Sequence, residues 1–232
     1  MVRPAAGGDG GPARFRVEVM KILGLTGSIG MGKSTAAAML LRLGCPVHDA
    51  DAAVHRLMGP GGKAVPAIKA AFPGVVIDGA VSRPLLGQQV FGDKVALKRL
   101  EAILHPLVRA EEAAFLRRQA RARFPLVVLD IPLLFETGGD KRCDRVAVVT
   151  CPPFLQAERV LARPGMTAQR LAAIRAQQMP DGLKRRRGDF LIRSGAGKGP
   201  ALRALRRAVT LMLAQSGRGA WPPHPYPRFD HA

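Results

Sequence analysis

The chain has 232 residues, 47% of them hydrophobic and 5% aromatic, and a formal net charge of +19 at neutral pH. That length suffices to bury one α/β core with a small insertion. No apolar run approaches the ~20 residues that span a bilayer, and the N-terminus has no long apolar segment, so a cytoplasmic protein is expected rather than a membrane-spanning or secreted one. Cys45, Cys143 and Cys151 follow no ligand spacing, which argues against structural zinc and suits a reducing compartment.

In chain order, residues 1–19 are rich in Gly, Pro and Arg and read as a flexible N-terminal extension. Residues 21–26 form a short apolar segment of the kind buried in parallel sheets. Gly27-Ser28-Ile29-Gly30-Met31-Gly32-Lys33-Ser34-Thr35 follows and matches the phosphate-binding pattern G-x-x-x-x-G-K-[ST]. Strong helix formers then run over 35–43 until Gly44. Further strands are predicted at 46–49, 126–131, 145–150 and 190–192, and helices at 52–58, 94–120, 154–162, 168–178 and 202–213. From 216 onward, Trp221-Pro222-Pro223-His224-Pro225-Tyr226-Pro227 reads as a Pro-rich tail. The alternation predicts an α/β fold with a central parallel five-stranded sheet covered on both faces. Ligands of such sheets bind beyond the carboxyl ends of the strands, where the glycine loop, Asp49 and Asp130 all fall.

A strand, a glycine loop and a helix N-terminus together make a phosphate cradle, since loop N–H groups and the positive end of the helix dipole point at the ligand. In that arrangement Lys33 reaches the β- and γ-phosphates and the Ser34 hydroxyl serves Mg²⁺, so ATP with Mg²⁺ is the expected nucleotide. Asp49-Ala50-Asp51 closes the second strand, and a transferase needs a carboxylate within reach of the acceptor hydroxyl. Either acid can instead cap the following helix, or serve the cation through water. Asp130 ends an apolar strand in the position of a metal-binding acid. Arg159 and Arg163 are four residues apart on one helix face, where a lid could bring them to the γ-phosphate.

Three arginine-dense stretches, 117–123, 184–187 and 203–207, raise the alternative of a nucleic-acid-binding ATPase. The scarcity of aromatic residues argues against base stacking, and the charge suits steering of small polyanions. A regulatory GTPase is excluded because its guanine-reading motif requires asparagine, and the chain has none. A nucleoside monophosphate kinase shares the cradle and stays open.

The chain resembles the dephospho-CoA kinases over nearly all of 20–200. The resemblance rests on Leu25-Thr26-Gly27 through Thr35, Asp49-Ala50-Asp51, Arg83-Pro84-Leu85-Leu86, His105-Pro106-Leu107-Val108-Arg109, Asp130-Ile131-Pro132-Leu133-Leu134-Phe135-Glu136 and Gln177-Gln178-Met179-Pro180 with Lys184-Arg185. It implies a P-loop kinase-type three-layer fold over about 20–215, with a helical substrate-binding insertion (about 60–120) and a lid (about 153–188). It also implies ATP-dependent phosphorylation of the ribose 3′-hydroxyl of dephospho-CoA, the last step of coenzyme A synthesis, by a monomer or weak oligomer without nucleic acid. By carry-over, Gly27, Gly30, Met31, Gly32, Lys33, Ser34, Thr35 and Arg159 hold ATP. Asp51 is the base with Asp49 in support, Arg163 a lid arginine, and Arg83, His105 and Arg109 surround the acceptor. Ser34 and Asp130 would serve the metal. The chain departs from the family at His55, where arginine is usual, and at Arg193-Ser194-Gly195, where acidic residues or asparagine are usual.

Overall fold

The computed structural model describes residues 20–214 and Trp221; the expected extension at 1–19 and the rest of the Pro-rich tail lie outside the described residues. Strand β1 (Lys21–Thr26) leads through the glycine loop into α1 (Lys33–Arg42), then β2 (Val47–Asp49) and α2 (Ala50–Met58). An inserted segment follows: α3 (Val65–Ala71), a hairpin of β3 (Val76–Ile77) and β4 (Ala80–Val81), and α4 (Arg83–Val90). The long α5 (Lys94–Arg121) returns to β5 (Leu126–Asp130) and β6 (Arg145–Thr150). Helices α6 (Pro153–Leu161), α7 (Ala168–Gln177) and α8 (Asp181–Arg187) precede β7 (Phe190–Arg193) and α9 (Lys198–Ala214).

The central sheet is five-stranded, in the order β2-β5-β1-β6-β7, and every pairing within it is parallel. Side chains alternate across each strand, so successive residues of β1 face opposite layers. Leu23 and Leu25 pack with Val128, Ala147 and Val149 against Ala36 and Leu40 of α1 and Leu205 and Met212 of α9. On the other face Ile22, Val127 and Leu129 meet Phe115 and Leu116 of α5, and Trp221 packs against this cluster. Gly24 is required there because a Cβ would stand 2.8 Å from Leu134 and 2.9 Å from the Cys143 sulfur.

The insertion has a core of its own, built from Leu57, Ile68, Phe72, Val75, Val81 and Leu86 with Leu100, Ile103, Leu104 and Leu107 of α5. Helix α5 therefore belongs to two cores, the insertion at its N-terminal half and the sheet at its C-terminal half. Its 28 residues run through Pro106 without a break.

Three local differences from the sequence reading have plain causes. Helix α3, the β3–β4 hairpin and α4 are too short to show helical or strand periodicity before Gly and Pro interrupt them. Helix α9 starts four residues earlier than expected, at Lys198, because Pro200 is tolerated in a first turn. Lys184, the first residue of the basic run 184–187, is fully buried, for reasons given below.

Candidate active site

The glycine loop turns from β1 into α1 through Gly30 and Gly32, whose φ angles of +75° and +89° suit residues without a Cβ. A Cβ on Gly30 would lie 2.5 Å from Val160 of α6, so this helix is packed directly onto the crest of the loop. Around the loop lies a cavity of about 640 Å³, lined by Gly27 through Thr35 together with Asp51, Pro132, Arg159, Arg163, Gln178 and Ser194. Lys33 reaches Asp130 at 2.6 Å, and the two side chains are only 14% and 2% exposed.

Strand register sets the acids side by side, since Asp49 of β2 pairs with Asp130 of β5. Burial pushes the Asp130 carboxyl above the ordinary aspartate value; the Lys33 ammonium opposes this, while Asp49 and Asp51 add to it. Asp49 caps α2, accepting the Ala52 N–H at 3.0 Å. Asp51 stands in the first turn of α2 and is exposed. The two acids thus differ: Asp49 is engaged with backbone, while Asp51 opens to the cavity. Asp51 also lines a second cavity of about 370 Å³ with His55 and Arg83. His55 and Arg83 continue into a third, of about 710 Å³, lined also by Met58, Pro60 and Val81.

The structure therefore brings together the loop, Asp51, Arg159, Arg163 and, across Asp51, Arg83. His105 and Arg109 are exposed on one face of α5 and line none of these three cavities. Oxygen donors that could serve a divalent cation near the loop are the Ser34 hydroxyl and the carboxylates of Asp130 and Asp51. Among the described residues no cluster of three or more His, Cys, Asp or Glu could hold a metal. That fits a cation held by one or two protein groups, with phosphate and water oxygens supplying the rest.

Three features escaped the sequence reading. Ser194 donates its hydroxyl to the Met31 carbonyl at 2.6 Å and accepts from Arg159 at 3.0 Å, so the residue that departs from the family pattern supports the loop. Gln156, 4% exposed, donates to the Ile29 carbonyl at 2.7 Å. Lys184 pairs with Glu136 at 2.9 Å and donates to the Pro132 carbonyl at 3.2 Å, which joins α8 to the segment following β5. Burial raises the Glu136 carboxyl, but hydrogen bonds from Lys184 and the Met179 N–H outweigh it and hold the group below its usual value. A buried lysine inside a run of four basic residues gives no sequence signal except its order relative to Glu136.

Comparison with known proteins agrees with this geometry. The family model for dephospho-CoA kinase matches residues 21–198. The dephospho-CoA kinase of Paramagnetospirillum magneticum is 76% identical over 166 residues, which cover 72% of this chain and 78% of that protein. The dephospho-CoA kinase of Rhodospirillum rubrum is 59% identical over 201 residues, covering 86% and 94%. Among solved structures, TT1252 from Thermus thermophilus superposes with a TM-score of 0.75 at 36% identity, covering 85% of this chain and all of that one. With the family model matched over residues 21–198 and relatives 76% and 59% identical over most of their length, the chain belongs to the dephospho-CoA kinase family.

Proposed function

We propose that the chain transfers the γ-phosphoryl group of ATP to the ribose 3′-hydroxyl of dephospho-CoA, giving coenzyme A and ADP in the cytoplasm. One observation carries this reading: Asp51 lines both the cradle cavity and the neighbouring cavity with Arg83. A hydroxyl entering from the Arg83 side reaches Asp51 at the edge of the phosphate site. The insertion, about 60–120, would hold the acceptor and the segment about 153–188 would act as the lid.

In this reading the loop N–H groups and Lys33 hold the triphosphate in place. An ammonium has three donors, so Lys33 keeps two for phosphate oxygens beside the one given to Asp130. Asp51 accepts the proton of the acceptor hydroxyl, and Asp49 fixes the helix that carries it. Arg163, with no ion pair to another described side chain, faces the charge that builds on the transferring group, and Arg159 stands beside it on Ser194. Ser34 and Asp130 would hold Mg²⁺, which when bound neutralises phosphate charge. His105 and Arg109 would join the acceptor site from α5.

The test is ADP release from ATP and Mg²⁺ with dephospho-CoA, beside nucleoside monophosphates and a no-acceptor control. Turnover confined to dephospho-CoA and lost in Lys33→Ala is the expected outcome. Turnover confined to a monophosphate would refute the acceptor assignment.

A further inference from the structure

The main chain on either side of Ile29, at the crest of the glycine loop, is held by two side-chain amides, from Gln156 of α6 and from Gln178 just after α7. The Ile29 N–H donates to Gln178 Oε1 at 3.1 Å, and its carbonyl accepts from Gln156 Nε2 at 2.7 Å. Gln156 is oriented in turn by Arg175 of α7, whose Nε and Nη2 donate to Gln156 Oε1 at 3.1 and 2.5 Å. The amide orientations follow from the partners. Guanidinium only donates, so Gln156 must turn its oxygen to Arg175 and its nitrogen to the carbonyl. The Ile29 N–H likewise requires the oxygen of Gln178. Two residues further on, Met31 is held through Ser194, which also receives Arg159.

Helix α6 carries both Gln156 and Arg159, three positions apart and so on one face, and Val160 beside them touches the loop at Gly30. The loop crest and the arginines that line the cradle are thus connected through one polar bracket. We infer that Gln156 and Gln178 are positioning residues. By gripping the main chain on both sides of Ile29 they fix the α6–α7 segment, and with it Arg159 and Arg163, in register with the phosphate-binding loop. They act on the phosphoryl-transfer step through the arginines and leave the acceptor site untouched. The inference rests on the kinase reading above, which wild-type turnover tests by itself.

Gln156→Glu keeps an acceptor for Arg175 but cannot donate to the Ile29 carbonyl. Gln178→Met preserves length and removes the acceptor for the Ile29 N–H; Gln178 is only half-buried, so this change tests the bracket without a risk to the core. Each variant is expected to lower kcat by about 10- to 100-fold, the scale of a small misplacement of catalytic groups. KM for dephospho-CoA is expected to change by less than about twofold. The double variant should be no slower than the worse single one, since the two amides grip the same residue, one at its N–H and one at its carbonyl. Hydrogen exchange at the Ile29 amide should speed up in Gln178→Met, without a fall in the overall melting temperature. Wild-type kcat in both variants would overturn the inference, as would independent, multiplying losses accompanied by a raised acceptor KM. Absence of turnover in the wild type would instead refute the kinase reading.

Discussion

On the cradle side of the site, the backbone of Ile29 and Met31 is gripped by Gln156, Gln178 and Ser194, and Lys33 is already paired with Asp130. At the second cavity, Arg83 and His55 are exposed, and their side chains make no hydrogen bond or ion pair with other described residues. The difference separates two ways of recognising a ligand. Fixed dipoles around the phosphates cost no reorganisation when charge moves, which is where preorganisation helps phosphoryl transfer most. Exposed, long side chains must be ordered by the acceptor itself, and part of its binding energy goes into that ordering.

Substitutions can break this contrast. Asp51→Asn is expected to have the largest effect, lowering kcat by about 10³-fold at little cost in ATP affinity. Asp49→Ala should instead remove about 1 kcal/mol of stability through the lost helix cap. Steady-state kinetics with thermal melts separate the two, and equal kinetic losses would remove the distinction between the acids. Lys184→Met should cost about 1–3 kcal/mol of stability, because Glu136 and the Pro132 carbonyl lose a buried donor, and a denaturant titration reads it directly. Arg83→Ala should raise KM for the acceptor about tenfold with ATP parameters unchanged, the signature of lost ground-state binding. An effect on kcat alone would place Arg83 with the fixed side of the site.

The smallest effect expected is on pH dependence. The Glu136 carboxyl lies below its ordinary value of 4.5 in the folded protein, so its pair with Lys184 stabilises fully above that value. The contribution is lost as pH falls through the lowered folded value. Glu136→Gln should therefore flatten the acid limb of melting temperature against pH, and an unchanged limb would mean that other carboxylates set it.

The inner strands of the sheet were legible because parallel strands buried on both faces carry near-continuous apolar runs, as in Leu126-Val127-Val128-Leu129. The cradle was legible because loop geometry restricts residue types at fixed spacing. The capping role of Asp49 was open in the sequence, since either acid satisfies the local pattern; register with Asp130 and the bond from Ala52 resolved it. Gln156, Ser194 and Lys184 were not legible. Each acts through a partner between 52 and 163 residues away, and no local periodicity encodes such a distance.

Helix α5 has a mechanical consequence. Its C-terminal part is clamped to the sheet by Phe115 and Leu116, while its N-terminal half forms one wall of the insertion's core. A single rod shared by two cores is a lever. From Val95 to Phe115 it extends about 30 Å, so a tilt of about 5° at the clamped end displaces the far end by roughly 2–3 Å. A strain too small to disturb the sheet can in this way swing the insertion's wall toward or away from Asp51.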